Sequence, residues 1–165
     1  MEVLGRVKTR LEGAILTAPD PKHAKNILTA LDIQPKEKSA VPSLKLNLDE
    51  NEPLADEFAK RYRSAVGSGI YLSADRRDIA YAVKQLARHM AQPRLCDWEN
   101  ALVMGRYLNS HPDLVRATVL DGDAHQHLAL ELYSDSDWAG CPETRRSTDA
   151  HVGCLLYTSP SPRDA

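Results

Sequence analysis

Residues 133–148 read YSDSDWAGCPETRRST, and the rest of the chain is read from them. Asp135 and Asp137 close an alternating run, HLALELYS over residues 127–134. In a strand, residues i and i+2 point to the same face. Both carboxylates therefore leave one face at a strand end. Trp138, Ala139 and Gly140 end that strand, and Arg145 and Arg146 follow soon after. Paired acids at a strand end can hold a divalent metal through oxygen ligands. Taken without their surroundings, Asp135 and Asp137 are more simply two solvated acids.

Upstream, Leu128, Leu130 and Leu132 alternate with Ala129, Glu131 and Tyr133. LVRATVL, residues 114–120, reads as a second strand, and Asp121-Gly122-Asp123 between the two is a strong turn signal. The two strands are thus expected to pair antiparallel. Before them the period changes to that of helices. One helix begins near Asp97 with the stripe Trp98, Leu102, Gly105 and Leu108, and ends at Asn109 to Pro112. Trp98 reads as core rather than as a stacking platform for bases, because it shares that stripe. Another helix runs from Arg77 to Met90, with Asp75 as N-cap and Ile79, Val83, Leu86 and Met90 inward. It leaves Lys84 and Arg88 as an exposed i,i+4 pair. A third, over 57–72, carries Phe58, Tyr62, Ala65, Val66, Gly69 and Ile70, with Lys60, Arg61 and Arg63 mostly on its other side. Residues 34–56 contain three prolines and read as a surface linker. Asp20-Pro21 is an N-cap followed by a helix-starting proline, and Ala24, Ile27, Leu28 and Leu31 form the stripe behind it. Residues 2–18 read as two strands around Glu12-Gly13.

The chain has 165 residues, 42% hydrophobic and 27% charged, the balance of a globular domain rather than a low-complexity chain. No apolar run is long enough to span a membrane, and the N-terminus carries no signal-peptide pattern. The three cysteines, Cys96, Cys141 and Cys154, are odd in number and scattered, which favours free thiols in a reducing compartment over a disulfide-linked partner. Cys141, His151 and Cys154 match no zinc-finger spacing. Charge is uneven: residues 1–46 hold eight Lys/Arg against five Asp/Glu, 54–110 nine against six, and 111–137 one against six. A basic body feeding an acidic strand suits a protein that grips phosphates and binds a metal. Ordinary solvated faces explain the same counts more simply.

Three blocks carry a resemblance. They are YRSAVGSGIYLSADRRDIAYAVKQLARHMAQP (62–93), DWENALVMGRYLNSHPDL (97–114) and YSDSDWAG followed by RRST. In this order and spacing the chain resembles the Pol polyprotein of copia-type LTR retrotransposons. The resemblance implies an α+β fold: an N-terminal β-hairpin, about four helices, then an antiparallel strand pair beginning a truncated ribonuclease H-like sheet. It implies the end of a reverse transcriptase over 1–46, a linker over 47–56, thumb-like or connecting helices over 57–112, and the start of ribonuclease H over 113–153. It further implies Mg²⁺ as cofactor and Asp135 as the inherited catalytic ligand. Asp137 either joins that ligation or supports it from alongside. The implied partner is an RNA/DNA hybrid or primer–template, met in the cytoplasm or nucleus, with Arg145, Arg146, Lys84 and Arg88 as candidate backbone contacts.

The chain departs from the family in three places. Arg77 stands where the family has Pro. Asp149, Ala150 and His151 replace a small-residue and aromatic strand. Residues 154–165, CLLYTSPSPRDA, do not match and are expected to be a disordered, non-native tail. The adjacent aspartates of the polymerase and the downstream acids of the nuclease are also missing. The chain alone is therefore expected to be inactive. A non-catalytic helical module that binds nucleic acid or protein, and a nonfunctional remnant, are the rival readings.

Overall fold

Leu4 and Gly5 take φ angles of 51° and 73°. Two successive positive φ values are what a type I′ hairpin turn requires, and they join β1 (Glu2–Val3) to β2 (Arg6–Leu11). The two strands pair antiparallel, Val3 opposite Arg6. Gly13, also at 73°, leads into β3 (Ala14–Ala18), the turn expected from Glu12-Gly13. The structure, a computed structural model, describes residues 1–44, 52–119, 128–139 and 145–157. The chain divides into two compact units, Met1–Leu11 with Ile15–Thr118, and Glu12–Ala14 with Val119–Ala165.

In the first unit, α1 (Pro21–Leu31) starts as its sequence demands. The Asp20 carboxylate accepts the Lys22 N–H at 2.8 Å, and Pro21 occupies the first turn, where no partner for its nitrogen is missed. Asp32 ends the helix at φ 55°. The next helix, α2 (Asp56–Leu72), buries Ala59, Tyr62, Ala65, Val66, Gly69 and Leu72. Its inward face is rotated from the expected stripe, leaving Phe58 and Ile70 39% and 47% exposed. The reason is steric: small residues at Ala59, Ala65 and Gly69 let neighbouring helices approach. A Cβ on Gly69 would lie 3.1 Å from a Val83 methyl.

The expected helix over 77–90 is shorter and begins differently. Arg77–Ile79 form a 3-10 turn and α3 covers Ala80–Ala87. Asp75 is not the cap; its carboxylate accepts from Arg6 Nε at 2.6 Å and ties β2 to the loop after α2. Ile79, Val83 and Leu86 are buried as their spacing predicted, and Met90 packs partly buried against the core. The last helix, α4 (Leu95–Ser110), begins two residues before Asp97. Gly105, buried, is where it meets α1, since a Cβ there would lie 2.9 Å from Ile33 Cγ1 and 3.1 Å from Leu31 Cδ1. α1 packs on α2 and α4, and α3 packs on both α2 and α4. One core results, with Tyr62, Ile27, Val66, Ile79 and Met104 fully buried.

The described parts of the linker are fastened down. Asn109 Nδ2 donates to the carbonyls of Gln34, Pro35 and Glu37 at 3.1, 3.2 and 2.8 Å. Arg106 grips the Glu37 carboxylate at 3.0 Å. The Gln34 N–H and then Arg106 hold that carboxyl below its usual range. Farther on, Leu54 is buried, and Pro53 and Arg94 form an antiparallel bridge flanked by bonds from Leu54 N to Pro93 O and from Leu95 N to Glu52 O.

The α+β layout is as expected: N-terminal strands, four helices, later strands. The pairing of the later strands is different. β4 (Arg116–Val119) lies beside β3, giving the sheet order β1-β2-β3-β4. β5 (Leu128–Asp137) pairs instead with β6 (Thr148–Tyr157) over ten residue pairs, from Leu128 opposite Tyr157 to Asp137 opposite Thr148. The apolar run VGCLLY of β6 supplies β-forming residues that the short 114–120 run could not match in length. Residues 154–157, expected in a disordered tail, are therefore strand; 158–165 and the turn at 121–123 lie outside the described residues.

Candidate functional site

The strand that carries Asp135 and Asp137 ends where the alternation predicted. Period-2 geometry puts both acids on one face of β5, opposite the positions of Ala150 and Thr148. Both are exposed. The Asp135 carboxylate accepts its neighbour's N–H, Ser136 N to Oδ1 at 2.9 Å, so one of its oxygens is already used locally. Ser134 and Ser136 alternate to the other face, where His151 and Asp149 stand opposite them.

The turn after β5 opens with Trp138, which is 93% exposed. Ala139 follows at φ 54°, and its N–H donates to Ser147 Oγ at 3.1 Å. Gly140 and Cys141 lie outside the described residues. Arg145 takes φ 55°, and Arg145, Arg146 and Ser147 are exposed ahead of β6. The turn thus brings two guanidiniums to the end of the ribbon that carries the two acids.

Among the described residues, no three His, Cys, Asp or Glu side chains converge on a point that could hold a metal. Two carboxylates on one strand face suit a single Mg²⁺ that keeps several waters. They do not make the ligand set of a two-metal nuclease, whose ions sit about 3.5–4 Å apart and are bridged by shared oxygens.

The other candidate cations belong to the first unit. Lys84 is half-buried on α3, and Arg88 is exposed beyond its last turn, with Nη1 donating to Gln85 Oε1 at 3.2 Å. The remaining α2 arginines serve the fold. Arg61 Nε donates to the Ala30 carbonyl at 2.7 Å, and its guanidinium lies 5.7 Å from the Phe58 ring and 5.5 Å from the Trp98 ring. Arg63 reaches the carbonyls of Met90 and Ala91. Both satisfy carbonyls left over where helical segments end. Trp98 packs partly buried against the core, edge-on to Phe58 at 5.3 Å, as its stripe predicted.

Two buried charge clusters are absent from the sequence reading. Asp97, 1% exposed, accepts from Arg94 N at 3.0 Å and Arg94 Nε at 3.2 Å, and its other oxygen meets His89 Nδ1 at 2.7 Å. Asp97 three residues after Arg94, in the first turn of α4, is the one local signal that could have found it. Arg76, 3% exposed, forks onto the Asp78 carboxylate and donates Nη1 to the His111 carbonyl at 2.9 Å. Burial pushes the Asp78 carboxyl up, but the Arg76 guanidinium outweighs it and holds the group below its usual range. Burial, then Asp78, pushes the Tyr107 hydroxyl up. Burial also raises the Cys96 thiol, which is free. No described helix is long and apolar enough to cross a membrane.

No protein-family model matches the chain, and no solved structure matches it. Curated sequences do. An uncharacterized mitochondrial protein of Arabidopsis thaliana is 34% identical over 162 residues, covering 93% of this chain and 62% of that protein. The retrovirus-related Pol polyproteins from transposons RE2 and RE1 of the same plant are 35% and 34% identical over 127 residues, each alignment covering 77% of this chain and 8% of the polyprotein. The chain is similar to a segment of the retrovirus-related Pol polyproteins of transposons. It spans less than two thirds of the mitochondrial relative and a small part of either polyprotein.

Proposed function

We propose that the chain is a segment of a copia-type Pol polyprotein, comprising the end of a reverse transcriptase and the start of a ribonuclease H, with a role in holding an RNA/DNA hybrid or primer–template. The match to two transposon Pol polyproteins over 77% of the chain carries this reading. YSDSDWAG at the end of β5 and RRST ahead of β6 support it. In this reading Asp135 supplies one carboxylate to a Mg²⁺ site whose remaining ligands are not among the described residues. When bound, Mg²⁺ would polarise a phosphate oxygen and lower the pKa of a water. Asp137 lends negative charge alongside. Arg145 and Arg146 contact the phosphate backbone, which positions a nucleic acid without reading its sequence. Lys84 and Arg88 provide further positive charge on the helical unit. Since no three metal-binding side chains converge among the described residues, the proposal is that the chain by itself binds hybrid and does not cleave it. Its place is the cytoplasm or the nucleus, where such a polyprotein meets its nucleic acid.

A second reading, a non-catalytic helical module, draws on one observation: among the described residues the hydrophobic core lies in α1 to α4, the 3-10 turn at Ile79 and Leu54. A gel shift with a labelled RNA/DNA hybrid tests the first reading. Affinity should fall steeply as salt rises, because each neutralised phosphate releases a counterion. Arg145→Gln with Arg146→Gln should flatten that salt slope. No shift at low salt would overturn the proposed role.

A further inference from the structure

Arg145, Arg146 and Ser147 form an exposed segment, neither helix nor strand, at the entry to β6. The Ser147 hydroxyl closes the loop between β5 and β6 by accepting the Ala139 N–H at 3.1 Å. It lies one residue before Thr148, which stands opposite Asp137. The geometry points to Ser147 as a phosphoacceptor for an arginine-directed serine/threonine kinase.

Three features meet in this segment. The hydroxyl is exposed, and its one described bond is to a backbone N–H of an exposed turn. Two guanidiniums precede it by one and two positions, placing positive charge for an acidic peptide-binding groove beside the acceptor. Arg145, two positions before the acceptor, takes φ 55°. In the reaction, the Ser147 Oγ–P bond forms as the bond from the γ-phosphorus to the β,γ-bridging oxygen of ATP breaks. ADP leaves with the electron pair, and the hydroxyl proton passes to the kinase's base. The product carries about −1.5 to −2 charge at neutral pH. Guanidiniums at the two preceding positions put cationic donors close in sequence to that charge.

The test treats the full chain with ATP, Mg²⁺ and the catalytic domain of an arginine-directed kinase, with an acid-directed kinase in parallel. Fragmentation mass spectrometry maps the product. One phosphoryl group should appear on Ser147 with the first kinase and none with the second. Arg145→Gln with Arg146→Gln should lower the initial rate at least about tenfold, the loss equivalent to about 1.4 kcal/mol of recognition. These are exposed coil positions, and matching circular dichroism spectra show that the variant is folded. Phosphate on Thr148 or another hydroxyl, no phosphate, or an unchanged rate in the glutamine variant would each overturn the assignment.

Discussion

The helical unit and the β5–β6 ribbon are built on opposite principles. In the first, Ile27, Tyr62, Ala65, Val66, Ile79, Ala101 and Met104 are sealed from water, and even its charges are buried in partnered clusters. In the second, every β5 or β6 residue whose side chain is described, 132–137 with Asp149 and His151, is exposed. A two-stranded ribbon is marginally stable in water on its own. The described core side chains are thus those of the helical unit, whereas the described side chains around Asp135 and Asp137 face water. Substitutions in the helical unit should be read in stability, and those in the ribbon in binding and chemistry.

The sharpest way to break this division is Asp97→Ala. It removes a 1% exposed carboxylate from between Arg94 and His89 and breaks a mostly buried ion pair, a change that costs about 3–5 kcal/mol. Thermal or urea melts should show the chain close to unfolding. Gly105→Ala tests the α1–α4 contact. The new methyl would meet Ile33 at 2.9 Å and cost about 1–3 kcal/mol by overpacking, visible as a lower urea midpoint at unchanged slope. Tyr62→Phe removes the 2.7 Å bond to the buried Leu86 carbonyl and should cost about 1 kcal/mol in the same melt.

A smaller effect lies in the acid range. The folded Asp78 carboxyl titrates below its ordinary value of 3.8. The stability it contributes is complete above the unfolded value and is lost as pH falls through the lower, folded one. Asp78→Asn should therefore lower the melting midpoint at neutral pH and flatten its fall on acidification below pH 3.8. Smallest of all, Asp135→Ala and Arg145→Gln should move the helical unit's melt by no more than about 0.5 kcal/mol, as for exposed positions away from a packed site. A large loss from either would erase the contrast between the two regions.

Much of the helical unit was legible because its signals are local. Asp20-Pro21 is a cap whose chemistry needs no tertiary context, and Ile79, Val83 and Leu86 repeat at helical spacing. The rotated face of α2 was not legible. Phe58 is more apolar than Ala59, yet the small residue faces the neighbouring helices because space decides there. Asp75 looked like a cap and is an ion-pair partner of Arg6, 69 positions away in sequence. Strand pairing failed for the same reason: Asp121-Gly122-Asp123 announces a turn, but not which strands it serves. Of the candidate site, the shared strand face of Asp135 and Asp137 was readable from alternation alone. The bond from Ala139 to the Ser147 hydroxyl was not, since it joins positions eight apart across a turn.

The most direct measurement incubates the chain with a labelled RNA/DNA hybrid and Mg²⁺ and follows both binding and RNA cleavage. Two strand-end carboxylates beside a pair of arginines predict salt-sensitive binding with the RNA strand intact. Specific cleavage of that strand, abolished by Asp135→Ala, would contradict the account and show that the chain carries a complete nuclease site.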